Sequence, residues 1–381
     1  MEPYWRNPAP GRKLNPALFR QKMRPGSGRE KSVARVPRAR LDCRPMKVLF
    51  DHLAPYQLMH GGFSIQIEQT KAALEQAGVE VEYLRWWDAQ QLGDILHYFG
   101  RPRLEIVQFA QQKGIKVVMT QLLTGLGSRV AWRRKIQWCV VHACRRFLPP
   151  IATVPFGWEA YRSVDASVSL TPWEAHLMQS MFSVPAQKVH VVANGVEAVF
   201  LNSRPAPRGP WLVCTATLTE RKRVVELAAA AVVAETPVWV IGKPYSDTDP
   251  YGQRFLQIAR ENPRFVRYEG PISDRARLAT IYREARGFAL LSNMESLSLS
   301  ALEAAACEAP LLLSDQPWAR TVFQQHATYC PVTNSASRTA RVLREFYDAA
   351  PNLRPPPRPQ SWLEIGRELK TVYEAVLKTS R

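Results

Sequence analysis

The sequence predicts an α/β protein of two domains, each built on a parallel sheet, with a cleft between them. Three observations lead there. Short apolar runs such as Val48-Leu49-Phe50, Val117-Val118-Met119 and Leu311-Leu312-Leu313 read as buried strands, and they alternate with helical patterns through most of the chain. A Pro-bearing segment at 199–208 breaks that alternation near the middle and reads as a linker. Small or polar loops follow the strands, on the side where open parallel sheets bind ligands. A length of 381 residues suffices for two cores.

Composition narrows the class. The hydrophobic fraction of 46% is that of an ordinary globular protein, and no apolar run approaches the 18 or so residues of a membrane span. The first residues lack the apolar stretch of a secretory signal. Six cysteines, at 43, 139, 144, 214, 307 and 330, show neither CxxC spacing nor a dense framework, and read as reduced thiols of a cytoplasmic protein. The net charge is +18, and residues 1–45 carry twelve Lys/Arg against three Asp/Glu. That segment, rich in Pro, Arg and Gly, reads as a disordered basic tail, either a start-site extension or an anchor on anionic membrane. A basic balance implies phosphate-bearing partners. Nucleic acid is not expected, since the chain has no stacking array of aromatics and no zinc-finger spacing.

The first domain, 46–198, opens with strand Lys47–Phe50. The pair Gly61-Gly62 then starts a helix whose Phe63, Ile67, Thr70, Leu74 and Ala77 share one face, with Gly78 as its stop. A Gly-Gly pair between strand and helix lets backbone approach a ligand. Strands follow at Val79–Leu84, around Asp94–Gly100 and at Val117–Thr120. Arg129–Phe147 reads as a helix that mixes six cations with Trp132, Ile136, Trp138, Val140 and Phe147. Basic and aromatic residues together suit an anionic membrane interface. The rival reading packs the Trp residues inward and solvates the charges. Ala166–Leu170 is the next strand, Thr171-Pro172 caps the next helix, and Lys188–Ala193 ends the domain before Asn194-Gly195-Val196.

The second domain, 209–360, opens with strand Trp211–Ala216, the basic turn Thr217–Arg223 and the Ala-rich helix Val224–Val233. Pro237–Ile241 and Phe265–Tyr268 are strands, and Asp274 caps helix Arg275–Ala285. Asp247-Thr248-Asp249 reads as a solvated turn rather than a metal motif. Ala289–Asp315 carries the most chemistry: strand, polar loop, a small-residue helix beginning near Ser298–Ser300, then strand. Glu295 and Glu303 flank the amides of that helix start. Helix N-termini attract phosphate, and carboxylates accept hydroxyl protons, a combination suited to a sugar nucleotide. The last helix, within 361–381, has Ser361 and Glu364 as a capping box and an apolar stripe Trp362, Ile365, Leu369, Tyr373 and Leu377.

Glu295–Glu303 with its flanking strands resembles the Glu–seven residues–Glu motif of retaining GT-B glycosyltransferases of the family 4 type. The resemblance extends from Met46 to about Leu377. It implies a GT-B fold of two Rossmann-like domains facing each other across the cleft, the last helix returning to the first domain. It also implies sugar transfer from a nucleotide-sugar donor with retention of anomeric configuration, without a cofactor or bound metal. Glu295 would then contact the donor sugar and Glu303 the ribose, while Ser298 and Leu299 bring their amides to the diphosphate. Gly61 and Gly62 resemble the family's Gly-Gly loop, and the Gly270–Ile272 strand end its base pocket, so Ile272 is a donor-binding candidate. Thr217–Lys222 resembles the family's Arg–five–Lys clamp. Lys222 holds the Lys position, Thr217 replaces the Arg, and Arg221 or Arg223 is available to restore the charge. Glu295 and Lys222 are the catalytic candidates. His97 resembles the outer residue of a His-x-His strand end and is carried as a sugar-side candidate, with Phe99 in the inner position. Ser296-Leu297-Ser298 stands where the family usually has Gly-Phe-Gly.

The acceptor this resemblance implies is a glycan, a lipid-linked precursor or a small molecule. The place it implies is the cytoplasm, with peripheral contact through Arg129–Phe147 at the inner face of the cell membrane. Two other readings remain open: a degenerate relative that binds nucleotide or glycan without turnover, resting on the lost Gly-Phe-Gly, clamp Arg and inner His, and a basic membrane- or nucleic-acid-associated scaffold, resting on the charge.

Overall fold

A computed structural model describes residues 45–53, 61–202 and 206–379. The basic tail and part of the linker segment lie outside the described residues. Twelve strands form two six-stranded sheets, parallel throughout. In the first, β1 (Lys47–His52), β2 (Glu80–Tyr83), β3 (Ile95–Phe99), β4 (Lys116–Thr120), β5 (Ala166–Ser169) and β6 (Val189–Val191) are ordered β2-β1-β3-β4-β5-β6. In the second, β7 (Leu212–Thr215), β8 (Val238–Ile241), β9 (Val266–Tyr268), β10 (Gly287–Leu290), β11 (Leu311–Ser314) and β12 (Thr328–Cys330) are ordered β12-β11-β10-β7-β8-β9. That second order is the Rossmann order, and its reversal lies between β7 and β10. The fold is GT-B.

The strands read as near-continuous apolar runs because helices cover both faces of each sheet. On one face of the first sheet, Val48, Phe50 and Ile95 pack with Ile67 and Leu74 of helix Gly62–Gln76. The other face packs on helices Leu104–Gln112 and Pro172–Phe182 through Val107, Leu177, Met178 and Met181. The second core surrounds Phe288, Leu312 and Tyr282.

Caps fall where the sequence puts them. Thr171 accepts from Glu174 N at 3.2 Å, and Asp274 accepts from Ala276 N at 2.9 Å. Ser361 and Glu364 complete the reciprocal box. Asp249 does more than the solvated turn expected of it: its carboxylate caps helix Pro250–Glu261 through Gly252 N at 3.0 Å. The expected linker begins with structure too. Ala198–Leu201 is a helical turn, and Phe200, a ring large enough to need burial, is fully buried in the second core.

Helix Trp362–Lys378 crosses back to the first domain and buries Ile365, Leu369, Tyr373 and Val376 in its core. Two glycines permit the crossing. A Cβ on Gly366 would lie 2.6 Å from the Ala73 carbonyl oxygen, and one on Gly195 would lie 2.6 Å from the Trp362 backbone. Val196 bridges Ser361 beside them, so outgoing and returning chains pass the domain boundary side by side.

Candidate active site

A cavity of about 520 Å³ opens at the carboxyl ends of β7 and β10, faced by residues of both domains. That is where strand order reverses and the loops on either side of the switch diverge. The loops that form it are tied together, since Asn293 N donates to the Arg221 carbonyl at 2.9 Å.

Glu295 sits on this wall, 8% exposed. Its Oε1 accepts from Lys222 Nζ at 2.5 Å and from Arg221 Nη1 at 3.1 Å. Burial pushes the Glu295 carboxyl up, but the charges of Lys222 and Arg221 outweigh it and hold the group below the usual carboxylate range. The loop thus keeps the Glu295 carboxylate ionised in a largely buried place. Arg221 also donates to the Met294 carbonyl at 2.8 Å, which pins its guanidinium beside the loop. Arg223 does not share this task. It is buried, holds a left-handed φ of 55°, and donates to the Thr333 carbonyl, outside the cavity wall. Thr217 lines the cavity.

Helix Leu299–Ala306 starts on the same wall, with Ser298 as N-cap accepting from Ala301 N at 3.3 Å. First-turn amides have no partner within their helix, and Leu299 and Ser300 both line the cavity. Glu303 lies one turn deeper, 6% exposed. Burial pushes its carboxyl above the usual range, against the opposing charge of Arg275. Arg275 donates to Glu303 and, at 3.0 Å, to Glu197 Oε1, and it lies 4.7 Å from the centroid of Phe200. An ionised carboxylate has about four lone-pair sites, so Glu303 can hold Arg275 and still accept hydroxyl protons.

The facing wall comes from the first domain. Gly61 adopts φ +144°, a left-handed conformation that favours glycine, and caps helix Gly62–Gln76. A Cβ on Gly62 would come 3.5 Å from Leu299 Cδ1, so the two helix starts meet across the cavity. Ile272 completes the set at the outer end, after β9. The residues singled out in the sequence therefore line one cavity, except Arg223 and His97. His97 is 1% exposed in the middle of β3, with Nδ1 2.5 Å from Tyr373 Oη and Nε2 2.7 Å from Thr120 Oγ1. Burial lowers its pKa to about 3. It stacks on Phe99 at 4.4 Å and is a neutral core residue outside the cavity wall, not a sugar contact.

Asn194 lines the cavity too, and sequence reasoning missed Gly242, Lys243 and Arg275, which also line it. Gly242 had a signal. It follows a strand, and a Cβ there would lie 1.9 Å from the Ala216 carbonyl oxygen. Arg275 had none, since it reads as an ordinary first-turn residue of a polar helix. Among the described residues, no group of three or more His, Cys, Asp or Glu is arranged to hold a metal ion.

The family model for glycosyl transferases group 1 matches residues 205–358, which contain this cavity's second-domain wall. The chain has the GT-B fold, and its second domain matches the glycosyl transferases group 1 model. A D-inositol 3-phosphate glycosyltransferase of Jonesia denitrificans is 30% identical over 176 residues, 39% of this chain and 41% of that protein. The match thus spans less than half of that relative. Among solved structures, the sucrose-phosphate synthase of Thermosynechococcus elongatus aligns over 88% of this chain and 97% of its own, with a TM-score of 0.60 at 16% identity. Anabaena HepE in complex with UDP aligns over 88% and 99%, with a TM-score of 0.57 at 11% identity. At such identities the likeness of this GT-B protein to both is one of fold.

Proposed function

We propose that this GT-B protein is a glycosyltransferase that moves a sugar from a nucleoside diphosphate sugar to an acceptor hydroxyl, with retention of anomeric configuration. The observation that carries the reading is the pairing of Lys222 and Arg221 with buried Glu295, on a wall shared with Glu303 and a helix N-terminus. In the reaction the bond from the anomeric carbon to the phosphate oxygen breaks. A bond to the acceptor oxygen forms on the same face. Negative charge gathers on the departing diphosphate and positive charge on the sugar ring.

Lys222 and Arg221 exchange their contact with Glu295 for the diphosphate, where preorganised cations stabilise developing charge. The first turns of Leu299–Ala306 and Gly62–Gln76 add partial positive charge. Glu295, released from its cations, accepts sugar hydroxyls and favours the oxocarbenium-like transition state. Glu303 accepts from the ribose, and Ile272 lies beside the base. The departing phosphate takes the acceptor proton, so no protein base is required. Two protein cations supply the charge on the leaving group, and turnover is expected to survive a chelator.

The same lining would suit a protein that binds a nucleotide without turnover. Against that stands a Glu295 kept ionised beside two cations, a costly arrangement for binding alone. A thermal-shift panel of UDP, GDP, ADP and their sugar conjugates tests the reading, on wild type and Lys222→Ala, with release of nucleoside diphosphate as the turnover assay. A shift with one diphosphate, weakened in the variant, is expected. No shift with any of them from folded protein would refute the assignment.

For the acceptor side we propose contact with anionic membrane and a lipid-linked or glycan acceptor. Trp132, Ile136, Val140 and Phe147 recur at helical spacing on Ala131–Phe147 and are at least half exposed, among Arg129, Arg133, Lys135 and Arg146. Trp138, 42% exposed, lies along the protein surface and donates to the Ser180 carbonyl at 3.0 Å. Among the described residues no helix is long and apolar enough to cross a membrane. Co-sedimentation with anionic vesicles, lost in Trp132→Ala/Ile136→Ala, is the expected result. Equal binding to neutral vesicles, or none to either, would refute membrane contact through this helix.

A further inference from the structure

One residue beyond Glu295, the second domain holds on to the first. Ser296 Oγ lies 2.5 Å from Thr124 Oγ1, which opens the short helix Thr124–Gly127 after β4. Ser296 is 6% exposed, and the contact is partly buried at the edge of the cavity. Behind it lies Glu174, in the first turn of Pro172–Phe182 and 1% exposed. Its carboxylate accepts from Leu123 N at 2.8 Å and from Leu170 N at 3.2 Å. The Ser296 hydroxyl also acts on this carboxyl, working against the rise in its pKa.

Either hydroxyl can donate in the Ser296–Thr124 contact, while the backbone amides of Leu123 and Leu170 donate to the Glu174 carboxyl and hold the Thr124 segment from behind. Among the described residues no Lys or Arg forms an ion pair with Glu174. A buried carboxylate without a cation depends on its hydrogen bonds. Burial raises the Glu174 pKa, and the bonds from Ser296, Leu123 and Leu170 work against that rise. Leu123 and Leu170 hold the carboxyl from the first domain, and Ser296 of the second adds to them.

We propose that Glu174, Thr124 and Ser296 form an interdomain clasp that holds the Glu295 loop against the first domain and thereby positions Glu295. The last clause rests on the function proposed above; the clasp itself does not. Serine stands at 296 where the resembled motif has glycine, which carries no hydroxyl. That departure, which reads in the sequence as a loss, supplies the bridging atom. Thr124 and Glu174 are its partners, and all three are positioning residues.

The test separates closure from catalysis. Spin labels at exposed Cys139 and at Arg341→Cys, one in each domain, report the interdomain distance by pulsed electron resonance without any substrate. Ser296→Ala and Thr124→Val are each expected to shift or broaden the distribution to longer separations, while Thr124→Ser, which keeps the hydroxyl, leaves it as in the wild type. In nucleoside diphosphate release, each of the first two variants is expected to lower kcat about fivefold, the scale of one hydrogen bond. Donor KM should change less. The double variant is expected to be no worse than Ser296→Ala alone, because the Thr124 hydroxyl acts through Ser296.

Unchanged distances in folded Ser296→Ala and Thr124→Val, or losses that multiply in the double variant, would overturn the clasp. Circular dichroism and the denaturation midpoint establish folding for each protein, and Thr124→Val carries the test if Ser296→Ala does not fold. Distances that respond as expected in a protein that binds no nucleotide would sustain the clasp and overturn only the enzymatic reading.

Discussion

Lys222→Ala is the most direct perturbation of the proposed chemistry. It removes the ammonium 2.5 Å from Glu295 Oε1 and leaves Arg221 at 3.1 Å. Three effects are to be separated. Removing one partner of a buried pair costs about 3–5 kcal/mol when the other charge is left alone. Here Arg221 stays in place, and the loss of folding stability should be no more than about 2 kcal/mol, less than that full cost. For nucleotide binding, a hydrogen bond to a charged group contributes about 1.5–3 kcal/mol. Lys222 must first give up Glu295, so the net weakening should lie near the low end, about tenfold. For turnover, charge on the leaving phosphate develops fully only in the transition state. Removing one preorganised donor to such charge typically costs about 10²–10³ in kcat. The assay is release of nucleoside diphosphate at saturating donor, beside a denaturation curve. Lys222→Arg should recover part of the rate, since it restores the charge with different geometry. If Lys222→Ala turned over within about threefold of wild type while folded, Lys222 could not be stabilising the leaving group.

Three further outcomes are expected. Glu303 has its pKa raised by burial, and only its ionised form accepts two ribose hydroxyls. Donor KM should therefore climb as pH falls, beginning above the ordinary carboxylate range, and Glu303→Gln should have a high KM with that limb absent. His97 has a folded-state pKa of about 3 against 6.5 when free, so the unfolded chain binds its proton first. Its contribution to stability should be lost as pH falls between those values, seen as a falling denaturant midpoint. His97→Gln should flatten that window and leave donor KM unchanged. Gly242→Ala would drive a Cβ to 1.9 Å from the Ala216 carbonyl oxygen at φ +153°, and should cost about 2–4 kcal/mol in chemical denaturation.

Much of the fold was legible because parallel strands buried on both faces have little choice of composition. Runs such as Leu311-Leu312-Leu313 announce themselves, and the caps at Thr171, Asp274 and Ser361 are local chemistry that needs no tertiary context. The site was legible where its residues cluster in sequence, as from Glu295 to Glu303. It was opaque where the fold joins distant segments. Arg275 reaches Glu303 only because helix Arg275–Glu284 packs beside Leu299–Ala306. His97 misled for the converse reason. A strand-end histidine in the pattern becomes a core residue once Tyr373, from the far end of the chain, fills the place above it. The apolar residues of Ala131–Phe147 look scattered in sequence. In the structure Val141 is the buried residue of this helix, while Trp132, Ile136, Val140 and Phe147 are left outside and Trp138 is held along the surface by the Ser180 carbonyl.

The returning helix Trp362–Lys378 also governs the order in which this polypeptide can mature. The first domain's core needs Leu369 and Tyr373, side chains made only after the whole second domain. Burying each such residue is worth about 1.5–3 kcal/mol. During synthesis the earlier half must therefore wait with an uncovered apolar face beside helix Gly62–Gln76, while the later half, whose core draws on residues up to Ala350, can close first. A chain truncated just before Trp362 should present a protease-resistant second domain joined to a cleavable first one.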